Sequence, residues 1–269
     1  MKAEAVPPTR DYSSISPSAL SLLLMKAESE IPYAREAAAA LWGDTAPSEL
    51  SDALAEENAR RRLRHFVNRY KSLDQLLSES GCANVLELGA GLSFRGLDLA
   101  RTKQTFYIDT DLPNVVALKA ELIAKLPAHP SRGTLRVQAL NALDADAFAA
   151  TVSELPPGPV AIANEGLLVY LDEREKAQLA ANVRAALLSR GGVWLTADVY
   201  IQNPGGSSPN VSYGRSRAFL DQHRVEQNKF SDWSAAERFF TSQGLTITNK
   251  LAHAHPLHIR ESWALALSG

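Results

Sequence analysis

The chain has 269 residues, of which 45% are hydrophobic and 22% charged, with 28 basic against 30 acidic side chains and a net charge of −2. This composition excludes disordered and fibrous classes, and the near-balanced charge carries no electrostatic footprint for duplex nucleic acid or an anionic membrane surface. Cys82 is the single cysteine, so neither an internal disulfide nor a thiolate metal cluster can form. The longest apolar stretch near the amino terminus, Leu20 to Met25, is too short to span a bilayer. The expectation is a soluble, cytoplasmic enzyme.

The first third reads as helical. Leu20, Leu23 and Leu24 recur at helical spacing after Ser16-Pro17, up to about Ser29, and Ile31-Pro32 breaks the run. A second helix from Ala34 to Trp42 stops at Gly43. Ser48 precedes a long amphipathic run to Leu77, and Gly81 closes the region. From Asn84 the texture changes to short apolar runs at Val85 to Leu88, Thr105 to Ile108, Leu135 to Val137, Val160 to Ala163 and Val193 to Ala197. Helical stretches separate them, which predicts βαβ units and a parallel sheet. Asp172 with Glu175, and Ser234 with Glu237, form capping-box patterns, and Gly191 and Gly244 follow the helices they open. Leu245 to Leu251 and Ser262 to Leu267 have no long helix between them, so they should pair antiparallel. Pro204-Gly205-Gly206-Ser207-Ser208-Pro209 reads as a loop. The fold class is therefore α/β, with seven strands in a mostly parallel sheet and an antiparallel carboxyl-terminal strand. A helical cap over residues 1–80 precedes a sheet domain over 81–269.

The strongest local signal is Glu87-Leu88-Gly89-Ala90-Gly91, directly after the first strand. Paired glycines let the backbone turn tightly and approach a ligand. The second strand ends in Asp109-Thr110-Asp111, where an acidic group can accept from both hydroxyls of a ribose. A dinucleotide site wants a third glycine three residues after the second, and Phe94 stands there. Glu87 also sits badly beside a diphosphate, whereas it suits a cofactor carrying an ammonium and a sulfonium. S-adenosylmethionine is such a cofactor, and no phosphate loop for ATP is present. A nicotinamide-dependent oxidoreductase and a cofactor-binding module without activity stay open as alternatives.

Three segments resemble the leucine carboxyl methyltransferase family, a branch of the class I methyltransferases with a Rossmann-like fold. Gly89-Ala90-Gly91-Leu92-Ser93-Phe94-Arg95 is similar to its Gly-Ala-Gly-Leu-Asp-Thr-Arg string. Asp109-Thr110-Asp111-Leu112-Pro113, with Lys119 beyond, resembles its second motif, and Asn164-Glu165-Gly166-Leu167-Leu168-Val169-Tyr170-Leu171 resembles its Ala-Glu-Gly-Val-Leu-Met-Tyr-Leu segment. The resemblance implies S-adenosylmethionine as cofactor and assigns Gly89 to its methionine end. Asp111, with Asp109 beside it, takes the ribose, Asn141-Ala142 the adenine, and Glu165 the glutamate place after the fourth strand. An arginine of the preceding helix, Arg62 or Arg64, pairs the cofactor carboxylate. Ser93 and Phe94 depart from Asp-Thr, and Val67 stands where similar proteins carry aspartate.

The acceptor side is less defined. Tyr170 is a candidate substrate contact, as is Tyr200 at the start of the loop toward Tyr213. A carboxylate acceptor needs no general base and a hydroxyl does; no histidine lies in the three motifs, so no catalytic residue is assigned. His253, His255 and His258 lack a nearby carboxylate partner and a metal-ligand spacing, and no metal is expected. The expected partner is a small-molecule acceptor, with neither nucleic acid nor membrane.

Overall fold

The computed structural model describes residues 16–43, 57–203, 221–253 and 258–269. Three helices lead: α1 (Ser16–Ala27), α2 (Ala34–Trp42) and α3 (Glu57–Ser80). The sheet follows as β1 (Asn84–Leu88), β2 (Phe106–Asp111), β3 (Thr134–Ala139), β4 (Val160–Asn164), β5 (Gly192–Tyr200), β6 (Leu245–Ala252) and β7 (Arg260–Leu267). Between strands lie α4 (Arg95–Thr102), α5 (Pro113–Lys125), α6 (Ala145–Ser153), α7 (Glu173–Arg190) and α8 (Trp233–Ser242). The seven strands run in the order β3-β2-β1-β4-β5-β7-β6, with β7 antiparallel to both neighbours. The order reverses between β1 and β4, which opens a crevice at the carboxyl ends of those strands.

Each buried strand alternates its side chains between two covered faces. Leu86, Leu88, Ile108, Ile162 and Trp194 pack with Phe148 of α6, Leu179 and Val183 of α7 and Phe240 of α8. Val85, Tyr107, Ala161, Ala163, Leu195 and Ala197 take the other face, with Leu73, Leu76 and Leu77 of α3. This second face also receives Glu87 and Asp109, which sit opposite one another in the β1–β2 register. A third apolar cluster joins Leu23 and Leu24 of α1 and Ala34 and Ala37 of α2 to Phe94, Leu97, Val115 and Leu122. So α3 covers the sheet itself, while α1 and α2 pack over the α4–α5 side.

The capping box at Asp172 forms as its sequence pattern predicts. The Asp172 carboxylate accepts from the Glu175 N–H at 2.9 Å, and the Glu175 carboxylate accepts from the Asp172 N–H at 2.8 Å. The second pattern is displaced. Helix α8 begins one turn-fraction earlier, and Asp232 caps it by accepting from the Ala235 N–H at 2.7 Å. An aspartate two residues upstream competes with Ser234 for the same role, and its charge suits the helix amino terminus better. The start of the α3 run at Ser48, the 204–209 patch and His255 lie outside the described residues.

Candidate cofactor and acceptor site

The turn after β1 requires its glycines: Gly89 has φ +61° and Gly91 φ +53°. Leu167 lies 3.5 Å from where a Gly89 Cβ would stand, and Ala19 of α1 lies 3.8 Å from that of Gly91. The turn is tied to β2 by the Ala90 N–H, which donates to the Thr110 carbonyl at 2.9 Å. Asp111 completes the tie. One carboxylate oxygen accepts from the Gly91 N–H and the other from the Leu112 N–H, each at 2.7 Å. Burial raises the Asp111 pKa, opposed by these two N–H groups. Each oxygen keeps a second lone pair, so a vicinal diol can still be bound from the crevice side.

At the end of β4, Glu165 gathers charge from three directions. Lys26 of α1 reaches it at 3.0 Å, Arg69 of α3 at 3.1 Å and Arg95 of α4 at 2.7 Å. Burial alone would raise the Glu165 pKa, but Lys26, Arg69 and Arg95 outweigh it and hold the carboxyl well below the usual range. Arg95 also binds Glu87, and its Nε donates to Asp74 at 2.6 Å, while the ring of Tyr70 stacks 4.1 Å from the guanidinium. The second Glu87 oxygen accepts from the Tyr107 hydroxyl at 2.6 Å. Glu87 is thus turned into the packed face beneath α3, where its carboxylate is occupied by Arg95 and Tyr107. Asp109 is likewise buried, ion-paired with Lys119 at 2.6 Å.

The loop that carries Glu165 is held from below. The Asp198 carboxylate on β5 accepts from the N–H groups of Gly166 at 2.6 Å, Leu167 at 2.7 Å and Leu168 at 3.2 Å. It also accepts from the Asn164 amide at 2.8 Å. At the end of β3, Asn141 is exposed, and its side-chain oxygen accepts from the Leu143 N–H at 3.1 Å. Ala142 is half-buried beside it. Arg64 is exposed, and the Arg62 side chain lies outside the described residues. The cations that do reach the crevice, Lys26 and Arg69, were not singled out by the sequence. Arg69 carried a readable signal, because it interrupts the apolar stripe of α3 between Phe66 and Leu73.

Beyond Glu165 the site continues toward β5. Arg69 donates through Nη1 to the Tyr200 hydroxyl at 3.2 Å, and that hydroxyl lies 3.2 Å from His65 Nε2. Tyr200 is buried in a cluster with His65 and His253, at ring separations of 5.8 Å and 6.4 Å. Tyr170 is half-buried on the turn after β4, edge-on to His223 at 6.0 Å. No group of three metal-ligating side chains exists among the described residues.

His253 is held neutral. Burial first, then Arg69 and Arg260, push its pKa down to about 3. A histidine depressed in the folded state stabilises the fold fully above its unfolded pKa and loses that contribution as pH falls toward the folded value. Unfolding free energy should therefore fall between about pH 6.5 and pH 3, by up to about 1.4 kcal/mol per pH unit from this residue. Denaturant titrations of the wild-type chain and His253→Gln across that window check the prediction. A slope unchanged by the substitution would contradict it.

Residues 9–184 match the leucine carboxyl methyltransferase family. A Streptomyces coelicolor protein assigned to the S-adenosyl-L-methionine-dependent methyltransferases is 32% identical over 59% of this chain and 58% of its own length. A Mycolicibacterium paratuberculosis protein with the same assignment is 26% identical over 83% of this chain and 69% of its own. The chain thus spans little more than half the length of the Streptomyces relative. The crystal structure of magnesium protoporphyrin IX methyltransferase from Synechocystis, with bound S-adenosylhomocysteine, superposes with a TM-score of 0.50. That likeness covers 88% of this chain and 96% of the other at 10% identity, and bears on the fold alone. No described helix is long and apolar enough to cross a membrane.

Proposed function

This chain belongs to the leucine carboxyl methyltransferase family, whose methyl donor is S-adenosylmethionine, and on that premise we propose that it methylates an oxygen of a small-molecule acceptor. The observation that carries the reading is the order in which neighbouring strand ends present their groups. From one edge inward come Asn141-Ala142 after β3, Asp111 at the end of β2, the Gly89-Gly91 turn after β1, and Glu165 after β4. That sequence of groups suits, in turn, an adenine, a ribose diol, a close-approaching methionine chain and an α-amino acid head. The donor set at the last position is of the required kind: the Lys26 and Arg69 cations can hold a carboxylate, and the Glu165 carboxylate can hold an ammonium.

We assign Lys26 and Arg69 the carboxylate contact that the family resemblance implied for Arg62 or Arg64. The cofactor supplies a sulfonium-activated methyl group. The contribution of the chain is alignment and exclusion of water, with α1 lying against Gly91 and Glu165 from above. Residues 1–80 accordingly serve as a functional cap on the 81–269 sheet domain, and Tyr170 and Tyr200 border the acceptor. A carboxylate oxygen is already ionised at pH 7, whereas a hydroxyl needs a proton acceptor, for which His65 beside Tyr200 is placed.

Isothermal titration with S-adenosylmethionine, S-adenosylhomocysteine and NADH tests the cofactor. Heat is expected with both sulfur compounds and none with NADH; the reverse pattern overturns the proposal. Asp111→Ala removes the diol acceptor and frees the Gly91 N–H, so affinity for S-adenosylhomocysteine should fall about 10- to 100-fold. An affinity within error of wild type would leave Asp111 with only its backbone contacts.

A further inference from the structure

The strand order that lays out the cofactor also says where the acceptor must lie. Adenine, ribose and methionine positions run from β3 through β4, so the acceptor falls on the β5–β7 side. There Tyr200 on β5 pairs across the sheet with Arg260 on β7, whose guanidinium carbon stands 5.4 Å from the centre of the Tyr200 ring. A continuous chain of contacts therefore leads from Glu165 through Arg69 and Tyr200 to Arg260.

Two polar atoms at the end of this chain are buried and have no hydrogen-bond partner: Arg260 Nε and His253 Nδ1. His253 directly follows β6 and Arg260 opens β7, and the His253 N–H donates to the Arg260 carbonyl at 3.0 Å. The other imidazole nitrogen of His253 is engaged by Ser262 Oγ at 2.8 Å and Ser72 Oγ at 3.2 Å. Ser72 Oγ donates to the Arg69 carbonyl at 2.9 Å and stands 2.6 Å from Ser262 Oγ, so the imidazole proton belongs on Nε2 and Nδ1 is left as an unfilled acceptor. Arg260 Nε is thus an unfilled donor at the end of this chain of contacts.

Every nearby carboxylate is otherwise engaged. Glu226 is ion-paired with Lys229 and also accepts from the Asn203 N–H at 3.0 Å. Glu261 accepts from the Trp263 indole at 2.5 Å and meets His258 at 3.3 Å. Glu165 is held by Lys26, Arg69 and Arg95, and Asp198 caps the β4 loop. Among the described residues Arg260 has no carboxylate partner. The half-buried Arg260 guanidinium feels Glu226 only through space, and Glu226 is already paired with Lys229, so a desolvation cost remains that a bound anion would offset.

We propose that Arg260 forms an oxyanion subsite that holds a fixed carboxylate of the acceptor, remote from the oxygen that is methylated. The proposal rests on the methyl-transfer reading for its placement, not for its chemistry. Arg260 supplies Nε–H and its terminal N–H groups in a planar fork, and the Tyr200 ring forms the floor beneath the guanidinium. An acceptor bearing a carboxylate at one end and a nucleophilic oxygen at the other would then be gripped at Arg260 and presented past Tyr200 toward the methionine end. A neutral analogue would leave Arg260 unpaired, so the subsite sets specificity by charge.

The test titrates benzoate and its neutral isostere benzamide into the full-length protein saturated with S-adenosylhomocysteine. Benzoate should bind about 10- to 100-fold more tightly than benzamide. Arg260→Gln should abolish that difference, and Arg260→Lys should restore only part of it, because an ammonium lacks the fork. Equal binding of the two ligands, no benzoate binding, or unchanged preference in Arg260→Gln would overturn the subsite. Loss of S-adenosylhomocysteine binding in the wild-type chain would instead refute the methyl-transfer reading, and charge discrimination could still be measured without the cofactor product.

Discussion

Replacing Arg95 with alanine is expected to destabilise the fold by about 3–5 kcal/mol, the cost of stranding buried charges. Its side chain is 1% exposed and serves Glu87, Glu165 and Asp74 at once. The three partners are unequal. Asp74 is 42% exposed and can rehydrate, so its loss contributes little. Glu165 retains Lys26 and Arg69. Glu87 is left with the Tyr107 hydroxyl alone, at 1% exposure, and dominates the penalty. A lysine at 95 carries the charge but cannot span three carboxylates from one ammonium, so it should recover only a fraction. The informative control is Arg95→Met combined with Glu87→Gln, which removes both charges and should restore about half of the loss or more. Urea unfolding followed by circular dichroism measures all four proteins. A single-variant loss below about 1 kcal/mol, the range of an exposed pair, would show that the network is dispensable.

The same network explains what could be read from the sequence and what could not. The strands were legible because each is a short apolar run between turn signals, and their number and direction follow from the spacing. The Asp111 position was legible because it depends on local order after a strand. The α8 cap was misplaced by two residues, since Asp232 and Ser234 both satisfy the local rule and only the helix geometry chooses. Lys26 and Arg69 depend on long-range closure. Lys26 meets Glu165 across 139 positions and Arg69 meets it across 96, and no spacing rule reaches that far. A Lys in a leucine-rich helix and an Arg on an apolar stripe are nonetheless visible anomalies, each a polar group that needs a buried partner. Arg64, by contrast, stands in a run of arginines whose exposure the helix period decides.

Asp198 was the least legible of the residues that shape the site, and its removal carries the second large expected effect. It sits within the apolar run Val193-Trp194-Leu195-Thr196-Ala197 and its continuation, where a single acidic residue reads as noise. Its side chain is in fact the acceptor for three successive N–H groups of the turn that presents Glu165. Such a turn has no strand or helix partner for those donors, so a buried carboxylate replaces the missing backbone ladder. Asp198→Ala should cost about 3–5 kcal/mol, since each unpaired buried donor contributes roughly 1–3 kcal/mol and water can reclaim part of the sum. Asp198→Asn keeps one acceptor oxygen but turns an amide N–H₂ toward either the turn or the Asn164 amide, so it should fall between wild type and alanine. The two readouts separate packing from positioning. Denaturation gives the stability loss, and titration with S-adenosylhomocysteine under folding conditions should show affinity weakened about tenfold or more. Glu165 would then keep its three cations but lose its fixed place relative to Gly89, because the Leu167 side chain that packs against that glycine belongs to the same turn. A stable Asp198→Ala protein with unaltered affinity would mean that the cations, not the turn, set the position of Glu165.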